Sequence, residues 1–214
     1  MITISNELTA ALAQGVEAWL ASRRRLCGRV HRYAFTQFGA EDAETLYHLR
    51  YHPTVLDCMP GTSAIPFADH MAWVRRSLVD QPGAVILIAR DQQQAVGFVS
   101  IKPVAEPGTV EIGEFILGPH QRGLLPMAIG FTMLYLALDL FRCEMTVSQV
   151  SPDNKLAMSI NDGNRFVAGP STNPDKLQFS FSRQDSQSNR NYQWLKRRLD
   201  LRFDEIGADG EGAC

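Results

Sequence analysis

Gly118 to Phe131, GPHQRGLLPMAIGF, contains the start of a phosphate-binding turn. Arg122 and Gly123 lead from a strand-like run toward a helix, whose unpaired N–H groups and dipole favour an anion. The positions where further glycines are expected hold Leu125 and Met127, and Pro126 between them has no amide hydrogen. A left-handed conformation costs a non-glycine residue about 1–2 kcal/mol, so Leu125 and Met127 fit only a turn that is not left-handed there. One missing donor weakens an anion site roughly ten- to a hundredfold. Against that, proline suits the first turn of a helix and Arg122 adds a charge. The other chemistry-bearing types are dispersed. His52, His70 and His120 lie in different segments without metal spacing. Cys27, Cys58, Cys143 and Cys214 show none either, so reduced thiols are expected, with Cys143 in the core.

The elements around the turn follow from periodicity. Asn6 to Ser22 reads as a helix through Leu8, Leu12, Val16 and Leu20, with Asn6 able to cap it. Arg23, Arg24 and Arg25 then suit a helix C-terminus better than an anion patch. Gly28 ends this extension, and Val30 to Phe38 alternates as a strand. Helices are expected over Glu41 to Tyr51 and from Pro66, the latter with Met71, Val74 and Leu78 on one face. Ala84 to Arg90 and Ala95 to Pro103 form a hairpin around DQQQ, and Thr109 to Leu117 is a third strand. Pro126 to Leu140, apolar all round, is a helix packed between other elements. Glu144 to Val150 is a strand, a helix starts near Asp153, a last strand follows Leu177, and a basic helix spans Trp194 to Arg202. Strands in a row followed by strand-loop-helix-strand-helix predict an α+β domain around a mixed sheet.

The 214 residues are 45% hydrophobic and carry 21 basic against 23 acidic side chains, a formal charge of −2. That suits a single soluble domain with no global field toward nucleic acid or a membrane. The N-terminal residues lack a signal-like pattern, so the expected compartment is the cytoplasm.

Three stretches together resemble the GNAT-type N-acetyltransferase superfamily: VGFVSI (Val96 to Ile101), EIGEFILGPHQRG (Glu111 to Gly123) and DNKLAMSINDGNRF (Asp153 to Phe166). LRYHPTVLDCM (Leu49 to Met59) with HMAWV (His70 to Val74) resembles the branch of ribosomal-protein N-terminal acetyltransferases, and more closely the sugar-nucleotide amine acetyltransferases. The resemblance spans roughly residues 30 to 185. It implies a GNAT-like, mostly antiparallel sheet flanked by helices, with an extra N-terminal helix. It divides the chain into a helical extension (1–29), the acyltransferase domain (30–206) and a flexible tail (207–214).

The resemblance also implies roles. Acetyl-CoA is the co-substrate and no metal is needed. The backbone of Phe115, Ile116 and Leu117 holds the pantetheine, and that of Gln121, Arg122, Gly123, Leu124, Leu125, Met127 and Ala128 the pyrophosphate. Asn154 and Ala157 complete the cofactor site, Asn154 also being a helix cap. Glu111 is the first candidate base and Glu114 the alternative; on a regular strand they face opposite sides, unless a bulge intervenes. The family's acidic Tyr falls at Asn161, which cannot act as an acid, so that role is left open. His52 and Trp73 are candidate acceptor contacts. The acceptor is a small-molecule amine, foremost an amino-sugar nucleotide, with neither nucleic acid nor membrane as partner and a homodimer compatible. The alternatives are a protein N-terminal acetyltransferase, an N-acyltransferase using an acyl carrier protein, and a non-catalytic GNAT-like binding module.

Overall fold

A computed structural model describes residues 2–59, 62–80, 82–171 and 173–206. The chain opens with a short strand, β1 (Ile2–Thr3), and two helices, α1 (Asn6–Leu12) and α2 (Val16–Ser22). They replace the single helix expected from the i, i+4 repeat, because Gly15 takes φ +100° and breaks it. Ser5, not Asn6, caps α1, its side chain accepting from the Leu8 N–H at 3.1 Å.

β2 (Leu26–Val30) and β3 (Tyr33–Gln37) form a hairpin where one strand was expected, turning at His31 with φ +53°. Gly28 lies inside β2 rather than at its end: a Cβ there would collide with the Phe203 ring. The three basic residues before β2 do not serve the helix end. Arg23 donates to the Val79 and Asp80 carbonyls, Arg24 pairs with Glu205, and Arg25 meets Glu41 at 2.7 Å.

Next come α3 (Ala43–Arg50), α4 (Pro53–Leu56) and α5 (Phe67–Val74), then the hairpin β4 (Val85–Asp91) and β5 (Gln94–Pro103). On α5 the buried residues are His70 and Val74, while Met71 is exposed. β6 (Thr109–Ile116) leads through a 3-10 turn into α6 (Leu124–Leu134), which widens into a π-helical stretch ending at Leu140. The helix starts two residues before the expected Pro126. β7 (Met145–Val150), α7 (Lys155–Gly163), β8 (Val167–Gly169), β9 (Leu177–Ser182), α8 (Arg183–Ser188), α9 (Arg190–Arg198) and β10 (Leu201–Glu205) complete the described chain. The basic helix thus ends at Arg198. Beyond it Leu201 and Phe203 point inward while Arg202 and Asp204 are exposed, the period of a strand, and β10 pairs with β2.

The ten strands of the described residues form one sheet in the order β1-β10-β2-β3-β4-β5-β6-β7-β9-β8, antiparallel except for β1 with β10 and β6 with β7. One core lies on the side of α6 and includes Leu8, Leu12 and Trp19 with Leu87, Ile129 and Phe181. The opposite face carries a smaller core of Leu46, Leu49, Val74, Ile88 and Phe98 under α3 and α5. The first two helices therefore share the main core, and β2 straddles the expected boundary at residue 29. The tail expected over 207–214 lies outside the described residues. No helix among the described residues is long and apolar enough to cross a membrane.

Candidate active site

The site begins where two strands part. β6 pairs with β5 in unbroken register from Gly97↔Ile116 to Pro103↔Val110, so the bulge considered for this strand is absent. On its other edge it pairs with β7 only from Thr109↔Met145 to Glu111↔Val147. Beyond Glu111 the strands diverge. The Leu117 N–H donates to the Val96 carbonyl at 3.0 Å, so strand alternation turns the backbone of Phe115 and Gly113 toward β5. The backbone groups of Glu114 and Ile116 and the carbonyl of Ile112 face the fork beyond the β7 ladder, whose last bond is spent on the Ile112 N–H. Of the three residues expected to present backbone to a cofactor, only Ile116 does so, and its carbonyl accepts from Gln121 Nε2 at 3.1 Å. Phe115 is turned to β5, and Leu117 gives its N–H to Val96 while its carbonyl accepts from the His120 N–H at 2.8 Å. Buried backbone groups need partners, so the open edge of the fork is a site for a ligand's amides.

The turn after β6 has one left-handed residue, Gly123, with φ +91° and open space where a Cβ would stand. Leu124, Leu125, Met127 and Ala128 follow within α6, which removes the conflict expected at Leu125 and Met127: their backbone is helical, and Leu125 is buried in the core. Gln121 is not a free donor, since its N–H donates to the Gly118 carbonyl at 3.2 Å. The first N–H groups of a helix have no internal partner. With Pro126 at the third position, the donors left at this terminus are those of Gly123, Leu124 and Leu125, beside the exposed Arg122. The turn is fastened from below, where Gly118 N–H donates to Thr54 Oγ1 at 2.8 Å.

A cavity of about 850 Å³ joins the fork to both faces of the sheet. Gly123, Met127, Asn154, Ala157 and Asn161 line its side next to the turn after β6. Asn154 caps α7 by accepting from the Ala157 N–H at 3.1 Å, as expected. Tyr192, a cavity residue without a sequence signal, donates its hydroxyl to the Asp139 carboxylate. Burial, reinforced by Asp139, pushes its pKa upward, so it is a poor proton donor.

Glu111 and Glu114 leave β6 on opposite faces, as the strand period requires. Glu114 shares its face with Ile112 and Ile116 under α6. Its Oε2 is shut off from solvent without a hydrogen-bond partner, although the residue as a whole is half-buried. Burial raises its pKa to about 7. Glu111 lies on the other face, where the pairing with β7 stops, and lines the cavity with Ser100, Lys102, Gly113 and Phe115. Gly113 has no side chain to cover this floor: a Cβ would come within 3.1 Å of Ser100 Oγ.

The wall above that floor is aromatic. Phe98 stacks on Phe115 at 4.4 Å, and Trp73 and Arg50 line the same space. Trp73 is therefore in the cavity. His52 is not among its lining residues: it caps α4, its Nδ1 accepting from the Thr54 N–H at 3.3 Å. His70, fully buried, holds Nε2 against the Ala43 carbonyl at 3.1 Å, and desolvation lowers its pKa, so it is a neutral structural residue. No group of three or more metal-ligating side chains occurs among the described residues.

No protein-family model matches the chain, and no curated protein matches it significantly. Solved structures do. Mycobacterium smegmatis RimJ in complex with CoA-disulfide aligns with a TM-score of 0.60 at 12% identity over 82% of this chain and 95% of RimJ. FdhC, a nucleotide-linked sugar GNAT, aligns with a TM-score of 0.62 at 15% identity over 79% of this chain and 94% of FdhC. A chimera of Vibrio cholerae spermidine N-acetyltransferase SpeG and hSSAT gives 0.61 at 13% identity, covering 73% and 98%. The fold is that of the GNAT-type N-acetyltransferases, a large, mostly antiparallel sheet flanked by helices and forked between two parallel strands.

Proposed function

We propose that the protein is an acetyl-CoA-dependent N-acetyltransferase whose acceptor is the amine of an amino-sugar nucleotide. The observation that carries this reading is the fork: the β6 backbone from the Ile112 carbonyl through Glu114 to Ile116, open toward β7, ends in a glycine-led helix terminus. Those residues fit the extended amide chain and diphosphate of acetyl-CoA, which supplies the activated acetyl group. The Ile112 carbonyl and the Glu114 backbone offer hydrogen bonds to the amides, while Gly123, Leu124 and Leu125 offer N–H groups to the diphosphate, aided by the helix dipole and Arg122.

On the opposite face Glu111 acts as the base. It takes a proton from the acceptor ammonium, directly or through water, so that the neutral amine is present at the fork. Ser100 and the gap at Gly113 leave room for the acceptor beside it. Glu114 does not share this role; buried under α6 with a pKa of about 7, it lines the cofactor side. Positioning of the two substrates supplies most of the rate enhancement.

The sugar-nucleotide acceptor is favoured by the cavity's size and by the likeness to FdhC. The likeness to RimJ supports a peptide amine as a second reading. Mass spectrometry of products formed from acetyl-CoA with a panel of amino-sugar nucleotides and N-terminal peptides separates them. Acetylated sugar is the expected product; acetylated peptide alone would favour the second reading, and no product with either would reject both.

A further inference from the structure

Arg50, the last residue of α3, stands in the aromatic wall of the cavity as a cation without a countercharge among the described residues. The other half-buried arginines among the described residues each meet a carboxylate: Arg24 pairs with Glu205, Arg25 with Glu41, Arg90 with Asp42 and Arg183 with Glu144. For Arg50 no carboxylate, carbonyl or hydroxyl among them accepts a hydrogen bond. It is held by ring faces instead, with the guanidinium carbon 5.6 Å from the Trp73 centroid, 5.8 Å from Phe115 and 5.9 Å from Tyr51. Such contacts steady the planar group and leave its N–H donors along the edge unused. A partly desolvated charge is unfavourable without a partner, and a guanidinium edge is shaped for a bidentate oxyanion.

We propose that Arg50 is a specificity residue that binds an oxyanion, a phosphate or carboxylate, carried by the acceptor at some distance from its amine. This rests on the acetyltransferase reading for the word acceptor; anion binding by Arg50 does not. Phe115, under the guanidinium, and Glu111, where the amine is held, share one face of β6 four residues apart, which is about 13 Å along a strand. An α-amino acid is too short to reach both. An amine joined to its oxyanion through a sugar-sized spacer reaches, and Trp73 beside the cation can stack on a ring of that spacer.

The test has a binding arm and a kinetic arm. Calorimetry with uridine diphosphate and with glutarate, neither of which carries an amine, is run on the wild type, Arg50→Met and Arg50→Lys. Arg50→Met is expected to weaken the preferred anion roughly ten- to a hundredfold and Arg50→Lys less, because the charge survives without the planar fork. Tighter diphosphate binding identifies phosphate as the oxyanion, and tighter glutarate binding a carboxylate. In the kinetic arm, the ratio of kcat/KM for an anionic amine over its neutral analogue falls by the same factor in Arg50→Met. Equal affinities in wild type and Arg50→Met, or no anion bound by the wild type, would overturn the proposal. Anion binding that depends on Arg50, together with no acetylation of any amine, would uphold Arg50 and reject the acetyltransferase reading instead.

Discussion

Glu111 and Glu114 stand three residues apart on β6 and serve opposite faces of the sheet, one opening on the acceptor wall and the other buried under α6. Strand geometry thus gives two similar side chains different environments, and different environments give different protonation chemistry. Substitution separates them. Glu111→Gln is expected to lower kcat/KM for the amine by roughly 10²–10⁴, the usual span for a lost general base, with little change in acetyl-CoA affinity. Steady-state kinetics and calorimetry on the same preparation check both halves. A loss of that size in Glu114→Gln alone would assign the base to the wrong face.

Glu114 should make stability depend on pH. Its folded pKa, about 7, is raised above the ordinary 4.5 by burial. The folded state therefore holds the proton more tightly than the unfolded chain. The contribution is fully present below about pH 4.5 and is lost as pH rises through about 7. The shift corresponds to about 3 kcal/mol. Urea unfolding of the ligand-free protein at several pH values between 4.5 and 8 should show the wild type losing stability relative to Glu114→Gln. Parallel curves for the two proteins would rule out the buried, neutral carboxyl.

Pro126 gives a gain-of-function test of the helix terminus. Replacing it with alanine restores one N–H at the third helical position, and acetyl-CoA should bind roughly ten- to a hundredfold more tightly. Gly123→Ala acts in the other direction. At φ +91° it carries a strain of about 1–2 kcal/mol, visible as a lower melting temperature and weaker cofactor binding. If neither substitution moves the calorimetric Kd, the diphosphate is not held at this turn.

The Thr54 hydroxyl ties α4 to the same turn through the Gly118 N–H. Thr54→Val keeps the shape and removes the acceptor, leaving a half-buried amide unpaired at a cost of about 1–3 kcal/mol. Thermal unfolding of the variant measures it. An unchanged transition would show that Gly118 finds water instead.

Legibility in the sequence followed local chemistry. The hairpin of β4 and β5, the strand β6 and the cap at Asn154 carry strong periodic or capping signals and were readable. The hairpin of β2 and β3 was not, because His31 and Arg32 form its turn without glycine, proline or asparagine. β10 hid behind Lys196, Arg197 and Arg198, which extended the apparent helix over an inward-facing Leu201 and Phe203. In the site, the order of strand, turn and helix could be read, but the location of the left-handed residue at Gly123 could not. Phe115 and Leu117 cannot be told from Ile116 in the sequence, since the direction of their backbone groups depends on the register with β5. Arg50 had no signal at all: what marks it is the lack of a countercharge, a property of tertiary packing.

Acetyl transfer by Glu111 at the fork is measured by amine-dependent thiol release from acetyl-CoA, comparing the wild type with Glu111→Gln. An amino-sugar nucleotide is expected to release coenzyme A in step with its own acetylation, and Glu111→Gln to slow this at least about a hundredfold. Wild-type protein that binds acetyl-CoA but releases no thiol above the amine-free rate, with any sugar or peptide amine, would contradict it.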